Sequence, residues 1–282
     1  MNGVYIYFKR GVNLSERGCF IVKKYIVKLA LFILLLAFGM GELGGCLSCA
    51  PVTSPGSISG KVVDATNANP ISGATVGVGS TTTTTGTDGT YRLENIPAGV
   101  QTVTASKTNY ISDSKQVLVV GGQETTDVNF ALSPNMPTGQ WRIVLTWGQN
   151  PSDLDSHLLV PASNSNPSLG YEVYYAQEGS SSDYPYAYLD VDDTTSYGPE
   201  TITILTRFTQ KYKYFVYHYA GSGDLAHSSA VVKVYIGNSL VKSYNVPTSQ
   251  TSGYRYWYVF DINADGTITD KNVIQSSAPT LP

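Results

Sequence analysis

The sequence predicts an all-β protein, with two tandem β-sandwich domains behind an N-terminal signal and lipid-anchor segment. Three observations carry this. After residue 50 no apolar run repeats with the 3.6-residue period of a helix. Short stretches alternate apolar and polar side chains instead, separated by clusters of Gly, Pro, Asn and Asp. Ahead of them stands one apolar stretch, Leu29 to Met40 (LALFILLLAFGM), with Lys23, Lys24 and Lys28 in front of it.

A positive flank followed by a short apolar core is the layout of a secretory signal. The run is too short to span a bilayer comfortably, since about 30 Å of hydrocarbon takes roughly 20 apolar residues. Leu43-Gly44-Gly45-Cys46 follows directly. That tetrapeptide resembles the bacterial lipobox, in which small residues precede a cysteine that is lipidated and becomes the mature N-terminus, and the resemblance implies lipid on Cys46. An uncleaved anchor extended back to Tyr25 is the alternative, and Val22 offers a second start of translation. Either anchor tethers the chain to a membrane and leaves its domains on the extracytoplasmic side of the cell envelope. Residues 1–46 are therefore the signal and lipobox or anchor, and 47–56 (LSCAPVTSPG), uncharged and bearing prolines, are a flexible linker.

From Cys46 onward there are 12 Lys and Arg against 19 Asp and Glu, a net charge of −7, with no basic stripe. Nucleic acid is excluded as a partner on that ground, because phosphate binding needs clustered cations. The three cysteines are Cys19, Cys46 and Cys49, so neither domain holds a disulfide or a thiolate metal site. Apolar burial must stabilise both.

In residues 57–134, Ile58 to Val63 alternates, Asp64 to Gly73 carries turn chemistry, and Ala74 to Val78 alternates again. Tyr91 to Leu93, Gln101 to Ala105, Gln116 to Val120 and Asp127 to Leu132 complete six or seven strands of a small sandwich. The Thr81 to Thr85 run is expected to be a solvated loop. Asp88-Gly89 makes a turn before a strand, and Pro97 withdraws a ladder donor at its end. The segments SISGKVVDATNANPISGATVGV, TDGTYRLENIPAG and VQTVTASKTNYIS resemble the carboxypeptidase regulatory-like domain over nearly all of 57–134. The resemblance implies a transthyretin-like fold and a non-catalytic module; it implies no peptidase activity.

Two prolines and a glycine in residues 133–139 (SPNMPTG) mark a second boundary with 135–139 as the linker, and residues 140–275 follow as a β-sandwich or jelly roll of eight to ten strands, with 276–282 as a tail. Trp141, Ile143, Leu145 and Trp147 share one face of its first strand. In Asp153-Leu154-Asp155-Ser156-His157-Leu158, period two sends Asp153, Asp155 and His157 to one face and Leu154 and Leu158 to the other. Leu189-Asp190-Val191-Asp192-Asp193 repeats the arrangement, and Glu200 follows it. Were the two segments adjacent, their carboxylates would repel unless a hard cation joined them, so Asp153, Asp155, Asp190, Asp192 and Glu200 are the candidate metal ligands and Ca²⁺ the candidate cofactor. Solvated strand-end acids that block edge pairing are the plainer alternative. His157 is expected to neighbour these acids rather than bind the ion, because a hard cation prefers oxygen.

Asp261 to Ile268 (DINADGTI) has the first half of a calcium-loop pattern, but its flanks are strand-like and Asn272 stands where Glu is required, which makes it a hairpin turn. Sixteen of the 21 tyrosines lie in this half of the chain, and Tyr212, Tyr214, Tyr217 and Tyr219 fall on alternating faces of one strand. An exposed set would stack on sugar rings or anchor a protein partner. The segments VLTWG, SDLDSHL, LDVDDTTSYGPETITI, YKYFVYHY and WYVFDINADGTIT resemble the uncharacterised bacterial YfaP-like C-terminal domain, a family without an established activity to lend.

No nucleophile motif, His-Glu-x-x-His or phosphate loop occurs. The expectation is a non-catalytic envelope lipoprotein that binds carbohydrate or an envelope protein, with a calcium site in its C-terminal domain. A structural lipoprotein that scaffolds another envelope component is the alternative. A glycoside hydrolase using two of Asp153, Asp155, Asp190 and Asp192 is a third reading.

Overall fold

The computed structural model describes residues 54–162 and 170–280, so the leader, Cys46 and most of the 47–56 linker lie outside the described residues. Among the described residues no helix is long and apolar enough to cross a membrane. Strands dominate, as the alternation predicted, and the fold is all-β.

The first eight strands are β1 (Gly56–Asp64), β2 (Thr75–Val78), β3 (Thr81–Thr84), β4 (Thr90–Ile96), β5 (Gly99–Ser106), β6 (Asp113–Val119), β7 (Glu124–Thr125) and β8 (Phe130–Leu132). They form two sheets, one ordered β4-β1-β7 with β8 also on β1, the other β3-β2-β5-β6. The inward side chains, Ile58, Val62, Val76, Leu93, Val103 and Phe130 among them, close one core. Asp88 accepts hydrogen bonds from the N–H and hydroxyl of Thr90 at 3.0 and 2.7 Å, which fixes the turn into β4. A Cβ on Gly60 would collide with the Val128 carbonyl, so only glycine lets that segment cross β1. Thr81–Thr84, expected as a loop, is instead an edge strand paired with β2. Its β-branched side chains suit a pleated surface, and the buried Thr85 hydroxyl pins its end to the Ile71 carbonyl at 2.5 Å.

The next eleven strands are β9 (Trp141–Thr146), β10 (Asp153–Val160), β11 (Tyr171–Val173), β12 (Gly179–Ser180), β13 (Ala187–Val191), β14 (Glu200–Ile204), β15 (Tyr212–Ala220), β16 (Val231–Ile236), β17 (Ser239–Asn245), β18 (Tyr256–Ile262) and β19 (Ile268–Gln275). A five-stranded sheet, β11-β10-β15-β18-β19, packs on a six-stranded one, β12-β13-β14-β9-β16-β17. Between them lies a second, larger core, with Trp257, Tyr212, Tyr214 and Phe260 fully buried. The Asp261 to Ile268 segment is the β18-β19 hairpin, with Gly266 at φ +86.

The described residues fall into one compact unit, because the first sandwich packs on the outer face of the six-stranded sheet. Ala65, Ala131 and Met136 meet Val144 and Tyr235 in a small apolar seam. Beside it Lys233 pairs with the buried Asp113. Arg142, 7% exposed, donates to the Ser133 hydroxyl at 2.8 Å, to the Pro134 carbonyl at 2.9 Å and to the Thr203 hydroxyl at 3.0 Å, pinning the end of the first sandwich, just after β8, to β9 and β14. Each sandwich nevertheless closes its own core. Fragments 50–136 and 138–282 should each melt cooperatively by circular dichroism; a first fragment that is structured only in the presence of the second would mean that the seam is part of its core.

Candidate cation site at the open edge of β10

The site grows from a gap in strand pairing. Along one edge β10 pairs with β15 over nearly its full length, but along the other β11 reaches only Leu158, Leu159 and Val160. Ser156 therefore has an N–H that no strand accepts. Glu200, at the start of β14 in the facing sheet, accepts it through Oε2. This draws a carboxylate that is 1% exposed to the edge of β10.

Asp155, 3% exposed, stands beside that edge, while Leu154 and Leu158 enter the core as the alternation predicted. Asp192 reaches the same point from the loop after β13. One carboxylate oxygen from each of Asp155, Asp192 and Glu200 lies within 4.8 Å of the other two, which is the separation that ligands of a single ion adopt around it. Asp153 lies close enough to Asp155 for the two carboxyl groups to influence each other.

Asp190 falls elsewhere. Leu189 pairs with Ile202 and Val191 with Thr201, so Asp190 is the extra residue of a β-bulge. The bulge breaks the period-two rule that would put Asp190 and Asp192 on one side. Asp190 lies instead beside Thr203 and Arg142, and Asp192 returns to the side of Glu200. Of the five expected ligands, the structure brings together Asp153, Asp155, Asp192 and Glu200 and sends Asp190 toward the seam.

Crowding marks the electrostatics. Burial, reinforced by Asp153, pushes the Asp155 carboxyl up to about 8. Burial and the neighbouring Asp192 raise Glu200 well above the usual carboxylate range. Asp153 is also raised, chiefly by burial, and burial lifts Asp190 to about 6 despite Thr203 and Arg142. Asp155 Oδ2, Glu200 Oε1 and Asp153 Oδ1 are buried without a hydrogen-bond partner. A buried carboxylate oxygen left so is costly, and a cation would satisfy it.

A second kind of side chain points into the cluster. His157 is 8% exposed, its ring stacked between Tyr174 and Phe215 with centroids at 5.1 and 4.6 Å. Its Nδ1 is bonded to Glu172 at 2.8 Å, and its buried Nε2 has no hydrogen-bond partner and lies 4.0 Å from Asp155 Oδ2. Alternation found the face that His157 occupies; the clamp of Tyr174, Phe215 and Glu172 around it depends on which strands become neighbours, which no local pattern encodes.

Residues 57–133 match the carboxypeptidase regulatory-like domain. Among solved structures, the chain is similar to a type II cohesin–X-dockerin complex of Acetivibrio cellulolyticus at 18% identity, covering 28% of this chain and 58% of that one with a TM-score of 0.25. It is similar to a protein of unknown function at 17% identity, covering 51% of this chain and 94% of that one with a TM-score of 0.36. A DUF3823 family protein from Bacteroides ovatus matches at 10% identity over 69% of this chain and 100% of that one, with a TM-score of 0.21. The family match ends before the acidic cluster begins.

Proposed function

We propose that the protein is a non-catalytic binding module of the cell envelope, carried outward on a lipidated Cys46, whose second sandwich holds a divalent cation between Asp155, Asp192 and Glu200, with Asp153 beside them. The convergence of these carboxylates from two facing sheets carries the reading. Ca²⁺ suits it best, because a hard, oxygen-seeking ion of flexible geometry matches an all-carboxylate set. The YfaP-like resemblance of residues 140–275 is part of the same reading.

Calorimetric titration of metal-stripped protein with Ca²⁺ should give one site, and Glu200→Gln, which keeps an acceptor for the Ser156 N–H, should remove it. Heat of dilution alone from the wild type would end the cation reading. For the anchor, Cys46→Ser should release the protein from the membrane fraction or block its processing. A variant that still fractionates like wild type would leave the apolar run itself as the anchor.

A further inference from the structure

The face of the second sandwich opposite the seam is the outer side of the five-stranded sheet, and it carries a run of tyrosines beside the acidic cluster. Tyr217 sits opposite Asp155 in the β10-β15 register. Its ring stacks on Tyr256 at 4.9 Å and meets Tyr219 edge-on at 6.4 Å. Tyr219 in turn meets Tyr175 edge-on at 5.4 Å. The Arg255 guanidinium lies 4.9 Å from the Tyr217 ring, which holds that ring in place. Tyr175 and Tyr219 are 42% and 47% exposed, whereas Tyr212 and Tyr214 of the same sheet are fully buried. The exposed rings are thus a separate set from those that build the core.

We infer that this face binds a neutral saccharide, which stacks on Tyr175 and Tyr219 and offers vicinal hydroxyls to the cation; the inference rests on the cation reading above. Three features select that class. Ca²⁺ takes six to eight oxygens, more than the Asp155, Asp192 and Glu200 carboxylates fill, and the exposed Asp192 leaves the ion's outer side toward solvent. Four carboxylates around one dication leave a negative excess, so an anionic ligand is repelled and neutral hydroxyl oxygens are accepted. Interlocked tyrosine rings present flat apolar area at little conformational cost, and the C–H face of a sugar ring is apolar as well.

The test is a glycan array of neutral and acidic saccharides, probed with the full chain in millimolar Ca²⁺ and again in chelator. Neutral glycans should be bound, and chelator should abolish the signal. Tyr175→Ala and Tyr219→Ala remove exposed rings, so both variants should fold and titrate with Ca²⁺ as wild type does. Each should weaken glycan binding by about tenfold, the scale of one lost ring contact. A blank array from protein that still binds Ca²⁺ in the calorimeter would overturn the saccharide inference and leave the cation reading standing. Binding confined to acidic glycans, or binding indifferent to chelator, would also overturn it, as would a protein partner held through Tyr219 when the array is blank. Failure to bind Ca²⁺ at all is a failure of the cation reading, and the calorimeter separates that case from the others.

Discussion

Metal-stripped protein should lose stability as pH rises from 6 to 8, and millimolar Ca²⁺ should remove the loss. Asp155 ionises near 3.8 when unfolded but near 8 when folded, and Glu200 is shifted in the same direction. The native state therefore binds more protons than the unfolded one across the interval between those values. The contribution of these two groups is then fullest below about pH 4 and declines as pH climbs through the folded values. One group displaced over two pH units contributes up to about 3 kcal/mol to the decline. Calcium reverses the preference, because it binds the ionised carboxylates of the native state. At a hundredfold excess over Kd it adds about 2.7 kcal/mol, and for a chain of this size that raises Tm by roughly 5 to 10 °C. Asp190, lifted to about 6, produces a slope of its own between roughly pH 4 and 6 that calcium leaves untouched. Thermal melts at pH 6 and pH 8, with calcium and with chelator, check this. Asp155→Asn should make the decline across pH 6 to 8 shallower, leaving the share of Glu200, and abolish the calcium response, whereas Asp190→Asn should keep both. Equal melting curves with and without calcium would leave these aspartates as ordinary strand-end acids.

Arg142→Met should cost about 3 to 5 kcal/mol in denaturant unfolding, since hydrogen bonds from a charged group contribute roughly 1.5 to 3 kcal/mol apiece and relief of the guanidinium's desolvation offsets part of their loss. The loss has two sources. Three hydrogen bonds from a buried guanidinium disappear, two of them to Ser133 and Pro134 at the end of the first sandwich. Asp190 then keeps a buried carboxylate without the cation beside it, and its Oδ2 already lacks a hydrogen-bond partner. The double variant Arg142→Met/Asp190→Leu should recover much of the cost, because it removes the stranded charge. A single-variant effect below about 1 kcal/mol would mean that the end of the first sandwich is held by the apolar seam alone.

The residues differ in how far their sequence context foretold them. Leu154 and Leu158 enter the core and Asp155 and His157 take the opposite face of the sheet because β10 pairs with β15 in unbroken register from Leu154 to Leu159, and a strand in register obeys period two. Asp190 and Asp192 break that rule, since the bulge between Leu189 and Val191 inserts one residue and reverses the sides beyond it. Nothing in LDVDD marks the bulge; the partner register creates it. Glu200 shows the same dependence, because its place rests on the short reach of β11 and the free Ser156 N–H. The Thr81 to Thr85 run, read as a solvated loop, became an edge strand because β2 offered it a partner. Local chemistry thus foretold the strands, the turns at Asp88 and Gly266 and the candidate acids, while the meeting of Asp155 with Glu200 belongs to topology.

The most direct test of the cation site is an anomalous difference map from crystals of the protein grown with Ca²⁺. A peak between the carboxylates of Asp155, Asp192 and Glu200, absent from crystals of Glu200→Gln, is the expected result. A map with no peak there, or with calcium bound only elsewhere, would contradict it.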